Sequence, residues 1–190
     1  MGSDSAALIA ASRRLRAARD SRGRVLPRLW LFADDARTPD LAGRIAALPR
    51  AVGLVLRARD KSRLATLAVA ARGRVAAITD LRLALRHGLG LHLPGARLRR
   101  PPFGWRRAKF LTAAAHDGAE LRAAKRLGVA IAFVSPVFPT ASHPGARALG
   151  VVGAARFGPG VGLLGGIDAL SVRRLRGLRA VAYGAVGGLI

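Results

Sequence analysis

The sequence predicts a compact (β/α)₈ barrel with an extra N-terminal helix and no final helix, on three observations. Eight short apolar runs recur between residues 29 and 186, with polar or amphipathic stretches between several of them. These runs are continuously apolar, as in strands buried on both faces, and connecting helices make such strands parallel. Two of them end on features suited to an anion: LLGG closes on Gly165 and Gly166, and IAFV runs into Pro136, Pro139, Thr140, Ser142 and His143. A strand that stops at a glycine pair leaves backbone N–H groups uncovered, and the C-terminal rim of a parallel barrel is where such ligands bind. A doubly wound open sheet is the runner-up. It would want fewer strands and a G-x-G-x-x-G turn after the first one, where this chain reads Ala33-Asp34-Asp35.

In chain order, residues 4–19 set apolar side chains and arginines at helical spacing and predict a leading amphipathic helix. Residues 21–27 form a Gly/Pro break, so residues 1–27 are read as helix and linker and residues 28–190 as the barrel. Strands are predicted at residues 29–33, 52–56, 75–79, 90–93, 109–113, 130–134, 162–164 and 181–186. Helices are predicted at 40–47, 61–71, 81–86, 118–127 and 171–178. Residues 94–105 (PGARLRRPPFGW) cannot form a regular helix, because proline removes an N–H donor and fixes φ. The sequence reaches Ile190 directly after the eighth strand, with no room for a closing helix. The seam between strands eight and one then needs cover, from the leading helix or from a second subunit. A homodimer is the expected assembly.

The 190 residues suit one domain, and a chain of this size buries roughly 70% of its unfolded surface. With no cysteine, disulfides, thiolate metal sites and cysteine nucleophiles are excluded. Arg13, Arg14, Arg16 and Arg19 interrupt any signal-peptide core, and no apolar stretch is long enough to span a membrane, so a cytoplasmic location is expected. The net charge is +23, and Lys61, Lys109 and Lys125 are the only lysines. The arginines are spread along the whole chain and aromatics make up only 5%, which gives no stacking residues interleaved with charge. Specific nucleic-acid binding is therefore not expected, although weak, salt-sensitive adhesion to polyanions is.

Several residues have both a chemical and a structural reading. Arg57 and Arg59 alternate with Leu56 and Ala58, so on a strand both would enter the barrel mouth; otherwise they are solvated loop residues. Asp80 is either a metal- or phosphate-side group or the N-cap of the helix starting at Leu81. His92, within LHL, alternates inward and reads as a packed, hydrogen-bonded ring. His116 precedes Asp117 and serves a cap, solvent or a ligand, while His87 reads as surface. His143 follows Thr140 and Ser142 in a loop, the best placement of the four histidines for a functional role.

These strand ends together resemble thiamine-phosphate synthases and their thiazole-tautomerase relatives. The resemblance rests on SPVFPTASHPGARALG at 135–150, LLGGI at 163–167, AAITD…LGLHLPG within 76–95 and LVLRAR at 54–59. It spans about residues 29–189. It implies a transferase of thiamine biosynthesis that condenses a hydroxymethylpyrimidine pyrophosphate with a thiazole phosphate, yielding thiamine phosphate and pyrophosphate. Family members that isomerise the thiazole phosphate carry a histidine where this chain has Pro136.

The resemblance makes Arg57 and Arg59 the cations at the departing pyrophosphate, with Val55 where the family carries a pyrimidine-reading glutamine. Thr79-Asp80 stands for an Asn-Asp pair, Arg97 replaces a second metal carboxylate and Ala114 replaces a serine. Thr140 and Ser142 match thiazole-phosphate hydroxyls, with His143 at a usual lysine position as a further catalytic residue. Gly165, Gly166, Val186 and Gly187 match the phosphate-binding backbone donors. Asp80 alone is left for Mg²⁺, so metal binding is expected to be weak. Two alternatives stay open: a degenerate relative that binds or isomerises thiazole phosphate, or binds thiamine phosphate, without condensation, and a basic barrel that binds polyanions.

Overall fold

The computed structural model describes residues 3–34, 40–140 and 145–186. Eight parallel strands close into a barrel in sequence order, with β8 pairing back onto β1. They are β1 (Leu29–Asp34), β2 (Val52–Arg57), β3 (Ala76–Ile78), β4 (Gly90–Leu93), β5 (Leu111–Ala115), β6 (Ile131–Val134), β7 (Gly162–Leu164) and β8 (Ala182–Ala185). The helices are α1 (Ser3–Ser12), α2 (Leu41–Ala47), α3 (Lys61–Ala70), α4 (Leu81–His87), α5 (Gly118–Arg126) and α6 (Gly150–Ala155). This is the fold the strand pattern predicts.

The strands read as continuous apolar runs because alternate side chains enter two separate cores. Leu29, Leu31, Leu54, Leu56, Leu91, Leu93 and Leu163 face outward under the helices. Trp30, Phe32, Val55, Ala77, Phe110, Ile131, Phe133, Leu164 and Ala182 fill the barrel. The inner rings meet edge to face, with Phe32 and Phe133 at 4.9 Å and Trp30 and Phe133 at 6.0 Å. Such contacts suit the ring quadrupoles better than stacking does. Bulk on one strand is matched by its absence on another: a Cβ on Gly53 would lie 2.6 Å from the Trp30 ring, and one on Gly162 would lie 2.5 Å from Phe133.

Asp60, Asp80 and Asp117 accept N–H bonds at the starts of α3, α4 and α5, and Asp40 does so for α2. Each cap satisfies donors that the first turn leaves open.

The structure differs from the sequence reading at both flanks of the strand pattern. α1 stops at Ser12 rather than continuing to Arg19, and the Ser12 hydroxyl donates to the Ile9 carbonyl at 2.8 Å. Serine competes with the helical backbone in this way, and the arginines that follow repel one another along any continued helix. The Gly/Pro break is ordered. Asp20 accepts from the Arg22 and Arg24 N–H groups at 2.9 and 3.0 Å, and Arg19 and Val25 form an antiparallel bridge. Ala18 and Leu26 join the inner core, so this turn plugs the N-terminal floor of the barrel. α6 was not legible as a helix, and residues 171–178 form a 3-10 turn (Ser171–Leu175) rather than a helix.

α1 packs against β1 and the 3-10 turn, with Leu8 fully buried in the outer core. The leading helix thus covers the seam between β8 and β1. Residues beyond 186, where a closing helix was expected to be missing, lie outside the described residues.

Candidate functional site at the C-terminal rim

The innermost layer of the barrel is closed to ligands, so chemistry belongs to the rim at the strand C-termini. β2 ends at Arg57, which is half-buried, lies 3.6 Å from Asp34 and stands over the Phe32 ring at 5.7 Å. The ring face attracts the guanidinium and sets its direction. Arg59 lies beyond the strand end in an exposed bend, so the alternation that would pair it with Arg57 stops before it. Val55, below Arg57, is fully buried.

His92 is also below the rim, bonded through Nδ1 to the Thr112 hydroxyl at 2.9 Å and edge-on to Phe32. Burial first, and the Arg57 charge second, push its pKa down to about 3. It is a neutral core ring in the working range of most proteins. His116 is exposed and its Nδ1 lies 3.0 Å from the Ser135 carbonyl. Its N–H donates to Glu120, which shares in capping α5.

On the opposite side of the eight-strand ring, β6 and β7 continue past their regular ends. Val137 and Phe138 donate to the Leu164 and Gly165 carbonyls at 2.9 and 3.0 Å. Leu149 and Gly150 return to bond Pro136 and Val137, which pins the base of the loop that carries Thr140. Gly165 and Gly166 have φ of 96° and 63°, a region that glycine enters without a steric penalty. A Cβ on Gly166 would lie 2.5 Å from the Pro139 carbonyl oxygen and 2.7 Å from the Phe138 Cβ, so the two loops leave no room there for a side chain. Neither glycine N–H donates to a backbone acceptor among the described residues. Thr140, next to Pro139, is half-buried, and Val186 stands half-buried after β8. Ser142, His143 and Gly187 lie outside the described residues.

Two supports of this glycine corner were missed in the sequence. Asp168 accepts from the Leu170 and Ser171 N–H groups at 3.0 and 2.7 Å, and the Ser171 hydroxyl donates to the Gly166 carbonyl at 2.9 Å. The backbone bond from Ser171 is the largest cause holding the Asp168 carboxyl below its usual range. Arg174 stacks on Phe138 at 4.9 Å, one ring away from Gly166, and so brings a cation to this side. The D-x-x-S spacing of Asp168 and Ser171 is the signal that could have revealed the first of these.

A cleft of 730 Å³ opens outside β3 and β4, the strands that follow β2 in the ring. Lys61, Thr79, Asp80, Arg82, Arg97 and Phe103 line it. Asp80 Oδ1 accepts the Leu83 N–H at 3.0 Å. Among the described residues no three His, Asp or Glu side chains gather as a metal-holding group. Ala114, where the resemblance implies a serine, stands half-buried near the end of β5.

No family model and no curated protein matches this chain. Among solved structures it is similar to a thiamine phosphate pyrophosphorylase from Pyrococcus furiosus, with a TM-score of 0.60 and 17% identity, over 85% of this chain and 89% of that one. At that identity the likeness is one of fold. Among the described residues, no helix is long and apolar enough to cross a membrane.

Proposed function

We propose that this protein joins a hydroxymethylpyrimidine pyrophosphate to a thiazole phosphate, releasing pyrophosphate and thiamine phosphate. The observation that carries the reading is the glycine corner. Gly165 and Gly166 carry N–H groups that donate to no backbone acceptor among the described residues, beside the base of the Thr140 loop, in a barrel similar in fold to a thiamine phosphate pyrophosphorylase. Fixed backbone donors of this kind suit a phosphate, and the usual barrel site lies after strands seven and eight.

In the reaction, the bond from the pyrimidine methylene carbon to pyrophosphate oxygen breaks, and the electron pair leaves with the oxygen. The thiazole ring nitrogen supplies the pair for the new C–N bond, giving a thiazolium. No proton has to move in these two steps. The protein must therefore hold the two partners close and meet the growing charge on pyrophosphate. We assign that role to Arg57 at the end of β2, with Arg59 on the exposed bend that follows as its support. Thr140, Ser142, Gly165, Gly166, Val186 and Gly187 hold the thiazole phosphate, and His143, which follows Thr140 and Ser142 in sequence, is a further catalytic residue.

The test is a coupled assay with both phosphorylated halves, alongside calorimetry with each half alone. Turnover is expected, with a loss of roughly a hundredfold in Arg57→Ala, since removing one positioned donor from a developing charge costs about 3 kcal/mol. Thiazole-phosphate affinity should hold in that variant and vanish in Gly166→Glu. A parent protein with neither turnover nor thiazole-phosphate binding would overturn the proposal. One observation favours a second reading: fully buried Val55 offers nothing to a pyrimidine inside the barrel. Binding or isomerisation of thiazole phosphate without turnover would select that reading.

A further inference from the structure

The cleft outside β3 and β4 has an unusual donor set for a barrel rim. Lys61, Arg82 and Arg97, all exposed, line it together, and Asp80 is the one carboxylate among them. Asp80 already spends Oδ1 on the start of α4. Mg²⁺ wants octahedral oxygen ligands, usually one or two carboxylates beside the substrate oxygens, and three cations around it raise the cost of holding it. These residues do not fit the metal that the family resemblance implies. They fit an oligophosphate directly, because guanidinium forks match phosphate oxygens in pairs and need no bridging ion.

The other wall is Phe103, between Pro102 and Gly104, with its ring wholly exposed. It is held out by a rigid base. Leu98 and Trp105 are buried, Trp105 N–H donates to the Pro102 carbonyl at 3.1 Å, and Arg106 covers the Trp105 ring. A ring carried on this base offers an open face for stacking. The interior route for a ligand ring is shut, since Val55, Phe32 and Phe133 are fully buried beneath Arg57.

We propose that this cleft binds the diphosphate ester of a flat ring without a metal ion. The diphosphate lies on Lys61, Arg82 and Arg97, and the ring stacks outside the barrel on Phe103. Only the identity of the ring as a pyrimidine rests on the function proposed above; the diphosphate site stands on the cleft itself.

The test is calorimetry on the full chain with inorganic pyrophosphate and with hydroxymethylpyrimidine diphosphate, in EDTA and in excess Mg²⁺. Pyrophosphate should bind in EDTA and more weakly in Mg²⁺, because the chelated anion presents less charge to a cationic site. Arg97→Ala should weaken it about tenfold or more, as expected for losing a bond to a charged group. Arg122→Ala, which removes the same charge from α5, should leave it unchanged. Phe103→Ala keeps the net charge, so it should spare pyrophosphate and weaken the pyrimidine ester about tenfold, in line with one lost stacking contact.

Binding that appears only with Mg²⁺ would overturn the proposal. So would equal losses in Arg97→Ala and Arg122→Ala, which would mean diffuse attraction. An unchanged ester affinity in Phe103→Ala would remove the ring's place on that wall. Turnover is scored separately: Mg²⁺-dependent turnover defeats this inference but not the condensation, and metal-free binding without turnover does the reverse.

Discussion

His92 ties the protonation of one ring to the stability of the barrel. It sits among Phe32, Thr112 and Arg57, with a pKa pushed down to about 3 by burial and by the arginine. In the unfolded chain a histidine titrates near 6.5. Above that pH both states leave the ring neutral and it contributes no pH dependence. Below it the unfolded chain takes a proton that the folded ring refuses, so stability falls by up to about 1.4 kcal/mol per pH unit down toward the folded pKa. Thermal unfolding of the parent should therefore move to lower temperature between about pH 6 and pH 4. His92→Gln should flatten that slope even where it lowers stability overall, and an unchanged slope would assign the effect to another group. Asp20 and Asp168 overlap only the acid end of this window. Both carboxyls are held below their usual range, so their contribution starts to fall as the unfolded carboxylates protonate below about pH 5, and the slope above that pH belongs to His92. For Asp20, burial opposes the shift, and the bonds and charge from Arg24 and the Arg22 N–H outweigh it. The inward turn of His92 was legible because strand alternation is a local rule. The Thr112 partner was not, because it comes from the next strand.

At the scale of elements, strands were easier to read than their ends. A strand buried on both faces announces itself by composition, which is why β1, β2, β4, β6 and β7 emerge nearly to the residue. α6 was missed because GVVGAA carries two glycines and no polar face, so it has neither helical propensity nor amphipathic period. Cover for the seam could be foreseen as a need, but its choice of α1 depends on packing. Leu8 carries that packing, so Leu8→Ala should cost about 2–5 kcal/mol in urea unfolding. An effect under about half a kcal/mol, the usual surface value, would mean that α1 is not part of the cooperative fold. The glycine corner gives a second expectation. Gly166→Ala must move the Pro139 carbonyl as well as strain its own backbone, and should weaken phosphate binding about tenfold or more. Gly158→Ala, at φ of 76° with open space around it, should cost only the left-handed strain of about 1–2 kcal/mol and leave binding intact. Equal losses of binding in both variants would detach the site from the corner. LLGG pointed to this place from sequence; the contact that makes both glycines necessary comes from the β6 loop.

The molecule as a whole carries a net charge of +23, and its ten carboxylates do little to neutralise it. Asp40, Asp60, Asp80 and Asp117 cap helices, Asp20 and Asp168 hold loop N–H groups, and Asp34 stands beside Arg57. The uncompensated arginines repel one another, a penalty that compactness increases and salt relieves. Sodium chloride should therefore raise the thermal midpoint from its low-salt value, the reverse of a fold held by surface ion pairs. Phosphate at the same ionic strength screens equally, so a surplus over chloride that saturates with concentration, as general salt exclusion does not, measures binding to the folded state. A ligand at one hundred times its Kd stabilises by about 2.7 kcal/mol, which for a domain of this size is a shift of several degrees. Gly166→Glu should remove the share of that surplus due to the glycine corner, and Arg97→Ala the share due to the cleft, while both variants keep the chloride effect. A surplus that survives both changes together would place the anion sites elsewhere. No surplus in the parent would leave the rim without phosphate affinity and the arginines as nothing more than a charged surface.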